Sequence, residues 1–431
     1  MTTDRRFYRR SSMQHLPTFA ILTALCFSTA AHAMTCKATK YGAKADGTTN
    51  DTHALQSAID ACAAKGGKVV LAGGTFLSGP LVLKSNVDLH VDAGATLLGS
   101  SNHDDYPEIT EFRNPGRQSL LSAKNAQNIS ITGGGIIDGA GQSWWAEARS
   151  HRDHGVMEVG NVFRPRLIVF DHCKHILIEG VTVQNSPSWQ IVPYYADDVT
   201  IRNVKILADP HSPNTDAIDP FSSSHMRIEH VYSDVGDDNI AIKSGAINSP
   251  GPDSPSTDIT ISDCTFMHGH GLSIGSEIAG GAQNITATNI HFDGTDQGIR
   301  IKANRDRGND VSHIVFRNLV MKDVKTAILI SEYYPKVLPP PDDKPEPVTR
   351  LTPHFHDITI DNLQATGSNV AGVVIGLPES PVTDVMLNNV SIQAEKGLTI
   401  SNATVTAHNL TVTPATGEAV ILLENGKLNR N

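Results

Sequence analysis

A repeating β-type unit runs through this chain and restricts the folds that it can adopt. Its copies read polar-Ile-x-Ile-polar-Asn-hydrophobic-x-hydrophobic, then a turn, then a further strand. Examples are DVTIRNVKILAD from Asp198, HIVFRNLVMKDVKTAILI from His313 and DITIDNLQATGSNVAGVVI from Asp357. Apolar residues that alternate with polar ones predict strands with one buried face. Repeats of this length indicate a solenoid, in which each copy stacks on the one before it.

An asparagine recurs at the same point of these units, at the bend between their first two strands. The recurring residues are Asn203, Asn289, Asn318, Asn362 and Asn389. Asparagine tolerates left-handed backbone and can hydrogen-bond to the next copy above it. A β-sandwich, the alternative architecture, would not need the same residue at the same phase. We therefore predict an all-β fold, a single-stranded right-handed parallel β-helix of roughly ten coils that spans residues 34–431 as one domain.

A short amphipathic helix is predicted near the start of this domain. Asp51 or Thr52 could cap a helix that runs to about Lys65. One face of this helix would carry Leu55, Ile59 and Cys62. We expect it to cap the open end of the β-helix, where an exposed strand edge would invite aggregation.

Residues 1–33 have the features of a secretory signal peptide. A basic region is followed by an apolar run from about Phe19 to Phe27 and by a small-x-small cleavage site at Ala31-His32-Ala33. A membrane anchor is the alternative, but the apolar run is too short to cross a bilayer. We therefore expect secretion, either to the periplasm or out of the cell.

Composition excludes several classes of partner. The chain has 35 Lys and Arg against 45 Asp and Glu, a net charge of −10, which argues against binding to nucleic acid or to an anionic membrane surface. No Cys and His spacing resembles a zinc site, and we expect no metal and no cofactor. An oxidising destination permits disulfides, and Cys36 with Cys62 is the more plausible pair because it would tie the start of the domain to its first helix.

Four short polar segments interrupt the β-pattern, each about 20–30 residues after the previous one. They are Asn214-Thr215-Asp216, Gly236-Asp237-Asp238, Gly269-His270-Gly271 and Arg300-Ile301-Lys302. Residues at matching points of successive coils stack beside one another. Three carboxylates, a histidine and two cations should therefore meet on one face of the solenoid.

The three carboxylates are suited to general acid and base catalysis. Stacked strands lie about 4.8 Å apart, so Asp216 and the Asp237–Asp238 pair can reach the separation of roughly 6.5–9.5 Å used by inverting glycosidases. Adjacent residues of a flat strand face opposite ways, so Asp237 and Asp238 both reach the cleft only if the chain bends at Gly236. Their closeness should raise the pKa of one of them, as a general acid requires. A solvated turn or a calcium site is the alternative.

The histidine and the two cations complete the predicted site. His270 lies between two glycines, which would let a ligand approach closely, whereas His268 is a competing candidate nearer the preceding strand. Arg300 and Lys302 are two residues apart in a strand and so point to one face. Together they could bind a carboxylate, which favours a uronic acid over a neutral sugar.

The four segments resemble, in order and spacing, the motifs of the polygalacturonases of glycoside hydrolase family 28. NSPSWQI from Asn185, GATLLGS from Gly94 and GLPESP from Gly376 also resemble segments of that family. The resemblance implies a secreted enzyme without cofactor, which hydrolyses α-1,4-galacturonosyl linkages of polygalacturonate or pectin by one displacement with inversion. Its partner would be this acidic polysaccharide, and we expect a monomer.

The resemblance also assigns roles to single residues. It implies Asp237 as the general acid and Asp216 with Asp238 as the pair that activates water. It implies His270 as a support of the catalytic site. It implies a set of substrate-binding residues, namely Arg300, Lys302, Asn214, Asp219 and Tyr333, with Tyr334 as the alternative to Tyr333.

The sequence leaves two rival functions open. A pectate lyase-type β-eliminase and a non-catalytic carbohydrate-binding protein could both use a β-helix.

The segment Pro335–Pro353 is too rich in proline to form a central strand and is predicted as a long loop. It is either an idle insertion or a wall of the cleft.

Overall fold

The computed structural model describes residues 1–2, 34–153 and 163–430 of the chain. The predicted signal peptide, residues 1–33, lies outside the described residues except for Met1 and Thr2. The chain divides into two compact units, residues 1–32 and residues 33–431, and the second contains every element described here. In the part of the chain that is described, no helix combines the length and the apolar character needed to cross a membrane.

Strands make up most of the described chain. The first half contains β1 (Met34–Lys37), β2 (Asp46–Asn50), β3 (Gly67–Leu71), β4 (Gly74–Ser78), β5 (Leu81–Val82), β6 (Val87–Val91), β7 (Ala95–Gly99), β8 (Glu108–Glu111), β9 (Asn114–Arg117), β10 (Leu121–Lys124), β11 (Gln127–Gly133), β12 (Ile136–Asp138), β13 (Ile168–Asp171), β14 (Lys174–Glu179), β15 (Thr182–Gln184) and β16 (Ile191–Tyr194). The second half contains β17 (Asp197–Arg202), β18 (Lys205–Leu207), β19 (Ser224–Glu229), β20 (Tyr232–Asp234), β21 (Ile240–Ser244), β22 (Ser256–Met267), β23 (Leu272–Ile278), β24 (Ala282–Asp293), β25 (Gln297–Lys302), β26 (Asp310–Lys322), β27 (Thr326–Ser331), β28 (His354–Phe355), β29 (Ile358–Ile375), β30 (Val382–Ser401), β31 (Ala403–Pro414), β32 (Val420–Leu422) and β33 (Lys427–Arg430).

The strands stack in parallel, one coil upon the next. One continuous row runs β1–β3–β6–β11–β14–β17–β19–β22–β24–β26–β29–β30–β31–β33, and each neighbouring pair in it is parallel. The hairpin β8–β9 is antiparallel and lies outside this row. This arrangement confirms the predicted right-handed parallel β-helix.

A second row of strands positions the polar segments. It passes from β16 through bridges at Ile218 and Phe221 to β21, and continues through β23, β25 and β27. Alternate residues of these strands, such as Ile242 and Ile274, are fully buried in the core. The residues between them, Lys243 among them, point out of the coil because side chains alternate along a strand. The outer face of this row forms the floor of the candidate site.

The recurring asparagines form a ladder along the outside of the coil. All five have left-handed backbone, with φ between 52° and 57°. The Nδ2 of Asn318 donates to the Oδ1 of Asn289 at 3.0 Å, and the Nδ2 of Asn362 donates to the Oδ1 of Asn318 at 2.9 Å. The Nδ2 of Asn389 turns to the carboxylate of Asp361 instead, at 3.5 Å. The prediction that this residue bonds to the copy above is therefore confirmed for the central coils.

The predicted capping helix is present. Helix α1 spans Thr52–Ala63, with Asp51 as its N-cap residue. Its buried face includes the predicted Leu55, Ile59 and Cys62. The disulfide Cys36–Cys62, with Cα atoms 6.0 Å apart, ties β1 to this helix as expected. A second helix, α2 (Gln142–Asp153), was not predicted, and its Trp144 and Trp145 are buried.

Candidate active site

A cavity of about 150 Å³ opens on the outer face of this second row of strands. It is small beside the roughly 300–1,000 Å³ of typical ligand pockets. Residues from all four polar segments line it, namely Asn214, Asp216, Asp237, Asp238, His270, Arg300 and Lys302. Five further residues complete the wall, namely Trp189, Lys243, Ser276, Glu277 and Tyr334. The stacking of successive coils thus brings together residues that are far apart in the sequence.

The chain bends at Gly236, so that both following carboxylates reach the cavity. Gly236 and Asp237 form a bend between β20 and β21. A Cβ atom on Gly236 would lie 2.3 Å from the carbonyl oxygen of Ser212, so only glycine fits there. Asp237 and Asp238 therefore line the same cavity, which a flat strand would not allow.

The carboxylate of Asp238 is held by cations. Lys302 Nζ lies 2.8 Å from its Oδ2, Arg300 Nη1 lies 3.3 Å from its Oδ1, and the hydroxyl of Ser273 donates to Oδ1 at 2.6 Å. Burial alone would raise the pKa of Asp238, but Lys302 and Arg300 outweigh it and hold that pKa well below its ordinary value. Asp238 is therefore ionised.

His270 and Asp237 form a second pair. His270 Nδ1 lies 3.1 Å from Asp237 Oδ1, and the His270 amide donates to the Asp237 carbonyl at 3.0 Å. Burial disfavours the charged form of both groups, but the hydrogen bond between them outweighs this effect. The pKa of His270 is therefore raised and that of Asp237 is lowered. His268, the competing candidate, contacts Asp234 Oδ1 at 2.8 Å and does not line the cavity.

The carboxyl groups with a raised pKa are not the ones predicted. Burial raises the pKa of Asp216 well above its ordinary value, and the charges of Asp237 and Asp219 add to this effect. Burial likewise raises the pKa of Asp219 to about 7. The expectation that closeness would raise the pKa of either Asp237 or Asp238 is therefore wrong, because each of them has a positively charged partner.

Two predicted substrate contacts lie away from the cavity. Tyr333 is buried among Leu329 and Val373, and its hydroxyl donates to Asp343 Oδ2 at 2.8 Å. Tyr334 lines the cavity instead, because adjacent residues here point to different sides, and its ring centre lies 5.3 Å from Lys302 Nζ. The placement of Tyr333 in the cavity was therefore wrong, and the alternative, Tyr334, is the tyrosine that lines it.

Asp219 also fails as a direct contact. It is fully buried behind the cavity wall, where its Oδ1 lies 3.6 Å from Lys243 Nζ. Lys243 was not predicted as a residue of the site, although its position in the repeat could have indicated it. It occupies an outward position between inward residues of the strand that follows Asp238, in phase with the carboxylates of the neighbouring coils.

The proline-rich segment is attached beside the cavity. None of its residues from Pro335 to Pro353 lines the cavity wall. Arg305 contacts Asp343 in this segment at 3.2 Å and Glu379 at 2.6 Å, and Arg350 lies 3.6 Å from Asp253. The segment is thus an anchored neighbour of the cleft, and Tyr334, the residue before it, lines the cavity.

Comparison with known proteins agrees with this geometry. A sequence profile described as Glycosyl hydrolases family 28 matches residues 62–413. The chain belongs to glycoside hydrolase family 28. It is 31% identical over 399 residues to a probable polygalacturonase of Vitis vinifera, covering 86% of this chain and 77% of that protein. It is 31% identical over 381 residues to an endo-polygalacturonase of Pectobacterium carotovorum subsp. carotovorum, covering 84% and 89% of the two.

A solved structure supports the family 28 assignment. The hyperthermoactive exopolygalacturonase of Thermotoga maritima matches with a TM-score of 0.75 and 27% identity, covering 90% of this chain and 91% of that one. The relatives thus include one described as endo-acting and one described as exo-acting. This family 28 chain is accordingly a glycoside hydrolase, as the resemblance of its motifs predicted.

Proposed function

We propose that this glycoside hydrolase is a secreted polygalacturonase that cleaves α-1,4-galacturonosyl linkages of polygalacturonate by one displacement with inversion. One observation carries the proposal: Asp216, Asp237 and Asp238 share a single small cavity with Arg300 and Lys302. Carboxylates supply acid and base, and the cations select an acidic sugar. The names of the relatives support the same substrate class.

Asp237 and His270 serve as the acid side of the reaction. His270 Nδ1 lies 3.1 Å from Asp237 Oδ1, so a proton carried by His270 could be shared with Asp237. As the bond between the anomeric carbon and the glycosidic oxygen breaks, this proton passes through Asp237 to the leaving oxygen. Such positioned proton transfer contributes about 10²–10⁴ in rate.

Asp216 and Asp238 serve as the base side. Asp238 is ionised because of Lys302 and Arg300, and Asp216 comes from the preceding coil. A water held between these two carboxylates would lose a proton to them while its oxygen bonds to the anomeric carbon. Attack on the face opposite the leaving group inverts the configuration at that carbon.

The cations and Tyr334 would hold the carboxylate of the sugar. Within the described residues, Arg300 Nε has no hydrogen-bond partner although it is buried, so a donor is ready for a ligand. The ring of Tyr334 lies near both Arg300 and Lys302, at 5.9 and 5.3 Å. Asn214 also lines the cavity, and its Oδ1 accepts a hydrogen bond from Arg164 at 2.6 Å, so its amide NH₂ would be the group that donates to a ligand.

The charge pattern also separates this proposal from a calcium-dependent lyase. Oxygen and nitrogen atoms of Asp237, Asp238 and His270 lie close enough together to bind an ion. Two cations already compensate Asp238, however, so a divalent ion there would be repelled by Lys302 and Arg300. We therefore propose a reaction without a metal.

The test is a time course on polygalacturonate in the presence of a chelator. We expect reducing ends to appear without any ultraviolet-absorbing unsaturated product. An unsaturated product would identify a lyase, and binding without reducing ends would identify a carbohydrate-binding protein. The lengths of the products separate endo from exo action in the same experiment, and mass spectrometry of the secreted protein tests cleavage after Ala33.

A further inference from the structure

One lysine beside the cavity faces three carboxylates. Lys243 Nζ lies 3.7 Å from Asp216 Oδ2, 3.6 Å from Asp219 Oδ1 and 3.6 Å from Glu277 Oε2. Lys243, Asp216 and Asp219 are each at most 4% exposed. The ring centre of Trp189 lies 4.8 Å from the ammonium and covers it. One positive charge thus faces two buried carboxylates, Asp216 and Asp219, and a third, Glu277, whose side chain is 26% exposed.

The hydrogen bonds of this cluster are incomplete. Among the described residues, Asp216 Oδ1 and both oxygens of Asp219 are buried without a hydrogen-bond partner. A buried ionised carboxylate without donors is strongly disfavoured. Because one ammonium cannot fully compensate both buried carboxylates and Glu277, the Asp216–Asp219 pair binds a proton more tightly than a carboxyl group in water does.

We propose that Lys243 is a positioning residue that lowers the pH at which the buried Asp216–Asp219 pair ionises, so that Asp216 can act as a base. This inference rests on the proposed function, in which Asp216 accepts a proton from the attacking water. With its carboxylate ionised beside Lys243, Asp216 has a free lone pair for that proton.

Other charged groups near this cluster also influence the ionisation of its carboxyl groups. Those near Asp216 and Asp219 are Asp237, Asp238 and Arg166, and those near Glu277 are Lys302 and Arg307. More carboxylates than cations lie around Asp216. Removal of Lys243 therefore takes away the nearest positive charge that stabilises ionised Asp216. The pH at which Asp216 ionises must then rise.

The test compares kcat/KM on polygalacturonate across pH for Lys243→Met, Lys243→Arg and Glu277→Gln in the full chain. We expect Lys243→Met to move the acidic limb of the profile up by at least about one pH unit, which is a tenfold loss at a fixed pH on that limb. Glu277→Gln removes a neighbouring negative charge and should move the same limb to lower pH. Lys243→Arg should restore the wild-type position, with KM changed less than kcat in all three.

A proton-counting measurement completes the test without depending on turnover. Difference titration of the folded proteins should show one carboxyl group of Lys243→Met losing its proton at higher pH than in wild type. An equal loss of activity at every pH, with an unmoved limb and an unmoved titration, overturns the inference while wild-type hydrolysis still stands. Absence of hydrolysis by wild type refutes the proposed function instead, and the titration still decides the role of Lys243.

Discussion

The asparagine ladder and the cavity are built by the same geometry but differ in their electrostatics. In both, side chains from successive coils meet because the coils stack in register. In the ladder, Asn289, Asn318 and Asn362 are neutral and exposed, and each amide bonds to the next at 2.9–3.0 Å. In the cavity, Asp216 and Lys243 are ionisable and buried, and several carboxylate oxygens have no hydrogen-bond partner among the described residues.

The ladder therefore contributes mainly to the stability of the fold, and the cavity mainly to the reaction. A satisfied hydrogen bond contributes about 1 kcal/mol to the free energy of folding. Buried charges are costly and break even only when they are well compensated. The stack therefore stabilises the protein where its side chains satisfy one another. Where they do not, it holds charged groups ready for a substrate.

The largest effect on activity is expected for a substitution of Asp237, which should leave the fold intact. Asp237→Asn keeps the size of the side chain but removes the proton carrier beside His270. We expect kcat on polygalacturonate to fall about 10²–10⁴-fold, with the midpoint of thermal unfolding within a few degrees of wild type. Near-normal turnover by a folded variant would show that the acid lies elsewhere.

The next effect concerns the buried pair of Lys302 and Asp238. Lys302→Met leaves Asp238 with one of its two cations, and loss of a buried partner typically costs about 3–5 kcal/mol. Denaturant unfolding should show this loss. The double variant Lys302→Met with Asp238→Asn removes both charges, and we expect it to recover most of the stability but none of the activity. Equal destabilisation of the single and double variants would mean that the two residues are not coupled.

A smaller effect is expected at the capped end of the helix. Replacing Cys36 and Cys62 by serine removes the disulfide that ties β1 to α1, which should lower the free energy of unfolding by about 2–4 kcal/mol. The cavity lies several coils away, so kcat should be unchanged. A fall in kcat that persists in the folded double variant would contradict this separation of the two regions.

The smallest effect belongs to the ladder itself. Asn318→Gly removes two amide hydrogen bonds but tolerates the φ of 56°, so we expect a loss of about 1–2 kcal/mol. Asn318→Ala should cost more, because alanine is strained in left-handed backbone. Neither variant should change kcat or KM, and a change in either would show that the ladder does more than support the coil.

Much of the fold could be predicted because the repeat expresses it many times. Each copy shows which residues face the core, and the phase of Asn318 and its equivalents indicates parallel stacking. The same phase placed Asp216, Asp237, Asp238, His270, Arg300 and Lys302 in one cavity. Helix α2 interrupts the repeat, so the repeat carried no signal for it.

The errors concern features that depend on three-dimensional surroundings. Tyr333 and Tyr334 are neighbours, and only the local turn decides which of them reaches the cavity. Asp219 lies in phase with the site but one layer behind it. The protonation states depend on burial and on charges from other coils, so a raised pKa fell to Asp216 and not to the Asp237–Asp238 pair.

The most direct test of the account is the configuration of the first product. The cavity is proposed to hold a water on one side of the anomeric carbon and the acid on the other, so that a single displacement occurs. ¹H NMR during the first turnovers of an α-linked oligogalacturonate should show the β-anomer before it equilibrates. Initial release of the α-anomer would contradict the account, because it requires two displacements through a covalent intermediate.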